Sequence, residues 1–202
     1  MFNQVNQAPL SPPWLLMLAL CCLLITSPPL LAKETEFDSE LRNLLVTAIN
    51  DSESFQDRFD AEVWLLDMSQ RLQRRVRKQD HKKQLRLLKQ IHAEATRAEL
   101  EPELVLAVIE VESNFDRWAL SRAGAQGLMQ VMPFWLKEIG KPEDNLFHVQ
   151  TNLRLGCTIL KYYLDKENGD LTRGLARYNG SLGRNKYPNK VFDALRKRWY
   201  RQ

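Results

Sequence analysis

Glu112 is the residue of this chain best placed to do chemistry. It closes the apolar stretch ELVLAVIEVES, and at helical spacing the residues before it, Ile109, Val108 and Val105, form an apolar stripe beneath its carboxyl. Desolvation by that stripe disfavours the anion, as does the negative end of a helix dipole near the last turn. A carboxylic acid still protonated near neutral pH can give its proton to a leaving oxygen, the general-acid role in cleaving a sugar–sugar bond. The competing reading is an ordinary helix-end glutamate that bends out to solvent. Glu110 has Ala107, Leu106 and Glu103 at the same spacings and is expected on a mixed face open to water.

The residues that follow tilt the balance. Ala123-Gly124-Ala125-Gln126-Gly127 is small enough to let backbone approach a ligand, and Leu128-Met129-Gln130-Val131-Met132-Pro133 resumes an apolar run. Gln130 is either a satisfied internal amide or one lining a cleft. Leu175-Ala176-Arg177-Tyr178-Asn179-Gly180 sets a phenol and an amide at a helix end, where Tyr178 is either packing or part of the site.

Glu112-Ser113, Ser121 with Gly124-Ala125, Gly127-Leu128-Met129-Gln130, Met132-Pro133, and Ala176 with Tyr178-Asn179 together resemble the motif series of the soluble lytic transglycosylase family. These are lysozyme-like enzymes that cleave peptidoglycan glycan strands. The segment from Asn152, with Gly156, Ile159 and Leu160, is similar to the helix between the second and third motifs, and the resemblance covers roughly residues 90 to 200. It implies that Glu112 is the single catalytic acid and base. Ser121 and Gln130 would bond the sugar at the scissile linkage, Met132 would line the cleft, and Tyr178, supported by Asn179, would orient the Glu112 carboxyl. The other carboxylate candidates, Asp116 and Asp144, match no catalytic position of the family.

The reaction this implies protonates the oxygen between N-acetylmuramic acid and N-acetylglucosamine, then returns the proton from the C6 hydroxyl, leaving a 1,6-anhydro sugar and consuming no water. Hydrolysis in the same cleft and a non-catalytic wall-binding module are the alternatives.

The elements that would position this site are helical. No glycine precedes Gly124, no stretch alternates like a strand, and a helix is expected from about Pro102 to Ser113, with another across Asn152 to Leu164. The fold class is therefore mainly α: a lysozyme-like catalytic domain over 91–202 behind a helical extension over 33–90. Residues 1–32 carry no charge, and the twelve-residue apolar run Trp14 to Ile25 matches a signal-peptide core, or else an uncleaved anchor, placing the protein in the periplasm or cell envelope. Its removal takes Cys21 and Cys22 and leaves Cys157 as a small buried hydrophobe with no internal disulfide. His81, His92 and His148 show no metal-ligand spacing, so neither metal nor cofactor is expected.

Charge changes sign abruptly along the extension. Lys33 to Asp67 holds ten acids against three bases, and Met68 to Ile91 nine bases against one acid, which reads as a basic helix over residues 71–89. Arg71, Arg74, Arg75, Lys78 and Lys82 either pair with the acidic segment, face an anionic envelope surface, or form a solvated face above buried Leu72, Val76, Leu85, Leu88 and Ile91. No nucleic-acid motif accompanies them. The C-terminal stretch from Tyr187 to Tyr200 is expected to close the core with its aromatics, with sugar stacking by Tyr187 or Trp199 the sharper alternative.

Overall fold

The computed structural model describes residues 58–76, 80–139 and 141–200. The expected signal segment, the extension up to residue 57 and Lys78 lie outside the described residues. Helices run in the order α1 (Arg58–Arg75), α2 (His81–Arg97), α3 (Pro102–Ser113), α4 (Trp135–Ile139), α5 (Val149–Lys166), α6 (Leu171–Tyr178) and α7 (Lys186–Ala194), the last continuing as a π-helical turn, Leu195–Trp199. Among the described residues there is no strand, only isolated bridges joining Leu120 to Gln126 and Gln126 to Val131. The mainly α expectation therefore holds.

α3 has the bounds read from the sequence. Pro102 opens it, Leu104 to Glu110 are all buried, and Asn114 ends it in the left-handed conformation at φ 49. A helix apolar on every side has to run through the middle of a core. Here α2, α7 and the π turn pack around it. One continuous apolar cluster extends from Ala61 and Leu65 on α1, through Leu88 and Ile91 on α2, to Val191 and Trp199. Each fully buried Leu or Ile in it contributes about 1.5–3 kcal/mol.

One expectation about the N-terminal half needs correction. The basic segment 71–89 is not one helix: α1 stops at Arg75, and Asp80 starts α2 by accepting the Lys82 amide at 3.3 Å. α2 then runs unbroken across the boundary expected at 90/91, burying Leu85, Leu88, Ile91 and Ala95 in the shared core. The inward positions were read correctly, since Leu72, Leu85, Leu88 and Ile91 are buried and Val76 packs against them. Arg71 and Arg75 are paired rather than free: Arg71 bonds Asp67, the last acid of the acidic stretch, and the carbonyls of Arg198 and Tyr200, and Arg75, though exposed, bonds Glu110.

Candidate active site

The loop between α3 and α4 is built from backbone bonds pinned by side chains, Asn152 foremost. Gln126 and Val131 exchange both of their bonds at 3.0 Å, and the Gly127 amide donates to the Ala119 carbonyl at 2.9 Å. Asn152 of α5 completes it. Its Oδ1 accepts the Met129 amide, and its Nδ2 donates to the Gln126 and Leu146 carbonyls, all at 2.8 Å. Gly127 has φ +75, and a Cβ there would collide with Asn152 and the Leu146 carbonyl. The close approach expected of this glycine is thus made to Asn152, inside the protein. Gly156 answers it from α5, where a Cβ would strike the Met129 side chain.

Two residues expected to bond a sugar take part in this construction. The Ser121 hydroxyl accepts the Ala125 amide at 3.0 Å, and the Gln130 amide donates to Ala119 and Gly127 carbonyls at 3.1 and 3.0 Å. Gln130 itself sits at φ +49 and is part-buried, so its internal bonds are those of a loop-former. Met132 is half-buried just beyond the bridge at Val131.

Glu112 sits half-buried in the last turn of α3 and lines a cavity of about 300 Å³ with Asn179, Ser181, Arg184, Lys186, Tyr187 and Lys190. Burial lifts its pKa from 4.5 to about 7, against the opposing pull of the nearby Tyr187 hydroxyl and Asn179 amide and the charge of Lys190. Val105, Val108 and Ile109, the stripe read from the sequence, are fully buried beneath it. A larger cavity of about 860 Å³ lies elsewhere, between α2 and the start of α5; Asp116 and Leu128 line it, but Glu112, Ser121, Gln130, Met132, Tyr178 and Asn179 do not. Chemistry favours the smaller one, because it holds the perturbed acid.

Two phenols stand near enough to Glu112 to feel its charge, Tyr178 and Tyr187. Tyr178 does not bond the acid: its hydroxyl donates to the Met129 carbonyl at 2.7 Å, tying the end of α6 to the loop. The phenol that faces Glu112 is Tyr187, which comes from α7 and is only 7% exposed. Its buried hydroxyl meets no hydrogen-bond geometry with any described residue, and burial together with the neighbouring Glu112 carboxyl pushes its pKa well above the usual phenol value, so it stays protonated beside the acid. Burial removes the sugar-stacking role from both Tyr187 and Trp199. Asn179, the cap of α6, lines the same cavity as the carboxyl. The sequence signal for Tyr187 was weak, since it lies 75 positions from Glu112 in an aromatic and basic segment that reads as core closure.

Neither alternative carboxylate joins the site. Asp116 accepts the Trp118 amide at 2.9 Å, and Asp144 accepts the Lys141 amide and the Thr151 hydroxyl. Glu110 is another correction. It is buried, pairing with Arg75 at 2.9 Å and Arg198 at 2.6 Å while accepting the Trp199 indole at 2.8 Å. Cys157 is buried and free, with its sulfur 3.9 Å from that of Met129.

Residues 89–199, more than half of the chain, match the Transglycosylase SLT domain family. Relatives include a transglycosylase of Enterobacteria phage PRD1, 32% identical over 50% of this chain and 40% of its own length. Membrane-bound lytic murein transglycosylase C of Photorhabdus laumondii is 31% identical over 42% of this chain and 28% of its own length. The chain thus spans well under half the length of these curated relatives. The X-ray structure of an inactive mutant of lytic transglycosylase Slt from Pseudomonas aeruginosa is 26% identical, with a TM-score of 0.42 over 52% of this chain and 20% of that one. The chain belongs to the Transglycosylase SLT domain family.

Proposed function

We propose that this family member is a peptidoglycan lytic transglycosylase in which Glu112 is the only acid and base. The observation that carries the reading is one perturbed carboxyl, with a pKa of about 7, in a cavity to which the described residues bring no second carboxylate. Glycosidases that use two carboxylates set them about 5–10 Å apart. With a single one, the proton it delivers has to come back from the substrate.

The protonated Glu112 gives its hydrogen to the oxygen linking N-acetylmuramic acid to N-acetylglucosamine as the bond from C1 to that oxygen breaks. The resulting carboxylate, favoured electrostatically by the neighbouring Tyr187, Asn179 and Lys190, takes the proton of the C6 hydroxyl while O6 bonds to C1. The carboxyl is restored, a 1,6-anhydro end forms, and no water is used. Ser121, Gln130 and Met132 act on the substrate as walls of the cleft, and Tyr178 acts on Glu112 indirectly, through the Met129 carbonyl.

Arg184, Lys186 and Lys190 line the same cavity and suit a glycan that carries carboxylates. With Arg71 and Arg75 committed internally, contact with an anionic envelope surface falls to the exposed Arg74, Lys82, Lys83 and Arg86. The periplasm or cell envelope is the proposed location, in keeping with relatives named membrane-bound murein enzymes.

Incubation of the purified protein with sacculi, followed by mass spectrometry of the released sugars, tests the function. Anhydro-ended fragments that vanish with Glu112→Gln are expected. Reducing ends would instead mean hydrolysis, and no release by the wild type would mean a binding module.

A further inference from the structure

α1 lies outside the 89–199 segment that matches the family, yet its long side chains hold both ends of the helix that carries Glu112. At the start of α3, the Trp64 indole donates to Glu103 Oε1 at 2.8 Å. At the end, one nitrogen of Arg75, Nη2, is 2.9 Å from Glu110 Oε1 and 2.9 Å from Asn114 Oδ1. The contacts follow the same order along both helices, which therefore run in the same sense, bridged by these long side chains.

Positions 110 and 114 are four apart and share a face, whereas position 112 lies roughly 200° round the axis from 110 at 3.6 residues per turn. Arg75 thus grips the back of the turn whose front presents the acid. That turn needs holding. Its closure runs through two successive left-handed residues that are not glycine, Asn114 at φ 49 and Phe115 at φ 65, a conformation that side chains disfavour.

We propose that α1 is an intramolecular splint for the catalytic helix, with Arg75 as a positioning residue that fixes the last turn through Glu110 and the Asn114 cap. It touches neither cavity nor substrate. Its part in turnover rests on the lytic transglycosylase reading above, while its part in holding the helix end does not. Glu110 keeps Arg198 and Trp199 when Arg75 is replaced, so the fold is expected to survive the change.

The test compares the wild type with Arg75→Met, which keeps the aliphatic stem, and Arg75→Lys. Amide hydrogen exchange reads the helix end, and kcat and KM on sacculi read the chemistry. In Arg75→Met, the Asn114 amide, which donates to the Glu110 carbonyl, is expected to exchange about tenfold faster while those of Leu106 to Ile109 keep their rates. The value of kcat falls and KM holds, because the acid is misplaced and the cleft is intact. Arg75→Lys restores the ion pair to Glu110 without the reach to Asn114, so it falls between the two. Exchange that quickens uniformly along α3 marks a plain stability role and overturns the proposal, as does unchanged exchange. A wild type that releases no sugar, with Asn114 still responding to Arg75→Met, overturns the proposed function and leaves the splint standing.

Discussion

Two glutamates stand two residues apart on one buried helix, and the surroundings give them opposite occupations. Glu110 is met by two guanidinium groups and an indole, so its charge is neutralised and its position fixed. Glu112 meets one phenol, one amide and a lysine ammonium, too little to offset its loss of water, and its proton is retained up to about pH 7. The same side chain becomes a structural anchor where cations converge and a proton donor where they hold back.

The sharpest way to break this contrast is Glu112→Gln. Turnover is expected to fall by about three orders of magnitude or more, since general acid catalysis alone contributes 10²–10⁴-fold. Stability moves the other way with pH. The folded-state pKa of about 7 exceeds the reference 4.5, so the stabilising protonated form is fully present below pH 4.5 and lost as pH rises through 7. The glutamine variant should match the wild type in thermal unfolding at pH 4 and gain on it by up to about 3 kcal/mol at pH 8. The wild type's activity should decline over the same rise.

Glu110→Ala is the counterpart on the other face, expected to destabilise at every pH between 5 and 8. Removing one partner of a buried ion pair costs about 3–5 kcal/mol, and partial hydration of Arg75 and Arg198 brings the expected loss nearer 2–3 kcal/mol in urea denaturation. Tyr187→Phe makes a smaller change. It removes a neighbouring hydroxyl that favours the Glu112 anion, so the alkaline limb of the pH–rate profile should shift upward. The smallest effect is expected from Tyr178→Phe, about 1 kcal/mol of stability for the lost bond to the Met129 carbonyl, with the pH profile unmoved. A shifted profile there would return Tyr178 to direct contact with the acid.

What could be read from the sequence was what a helix says about itself. Pro102 and the unbroken apolar run fixed both ends of α3, and the residues three, four and seven before Glu112 identified its dry floor. The same spacing rule failed at Glu110, because its partners Arg75 and Arg198 come from 35 and 88 positions away and leave no trace in its own helix. Tyr187 was missed for the same reason. The break between α1 and α2 was legible in principle, since Asp80, the one acid among nine bases, is a good helix-starting residue. Ser121 and Gln130 were found as important positions, but their bonds to the loop's own backbone depend on a chain path that only the folded molecule defines.

Asn152 carries a consequence for how the molecule matures. One amide joins the Gln126 and Leu146 carbonyls and the Met129 amide, three groups that converge only after α5 has docked against the segment two dozen residues upstream of it. The wall of the cleft cannot be assembled locally, so it is among the last parts to order during folding. A newly made chain would have no finished cleft until the whole family-matching half had come together.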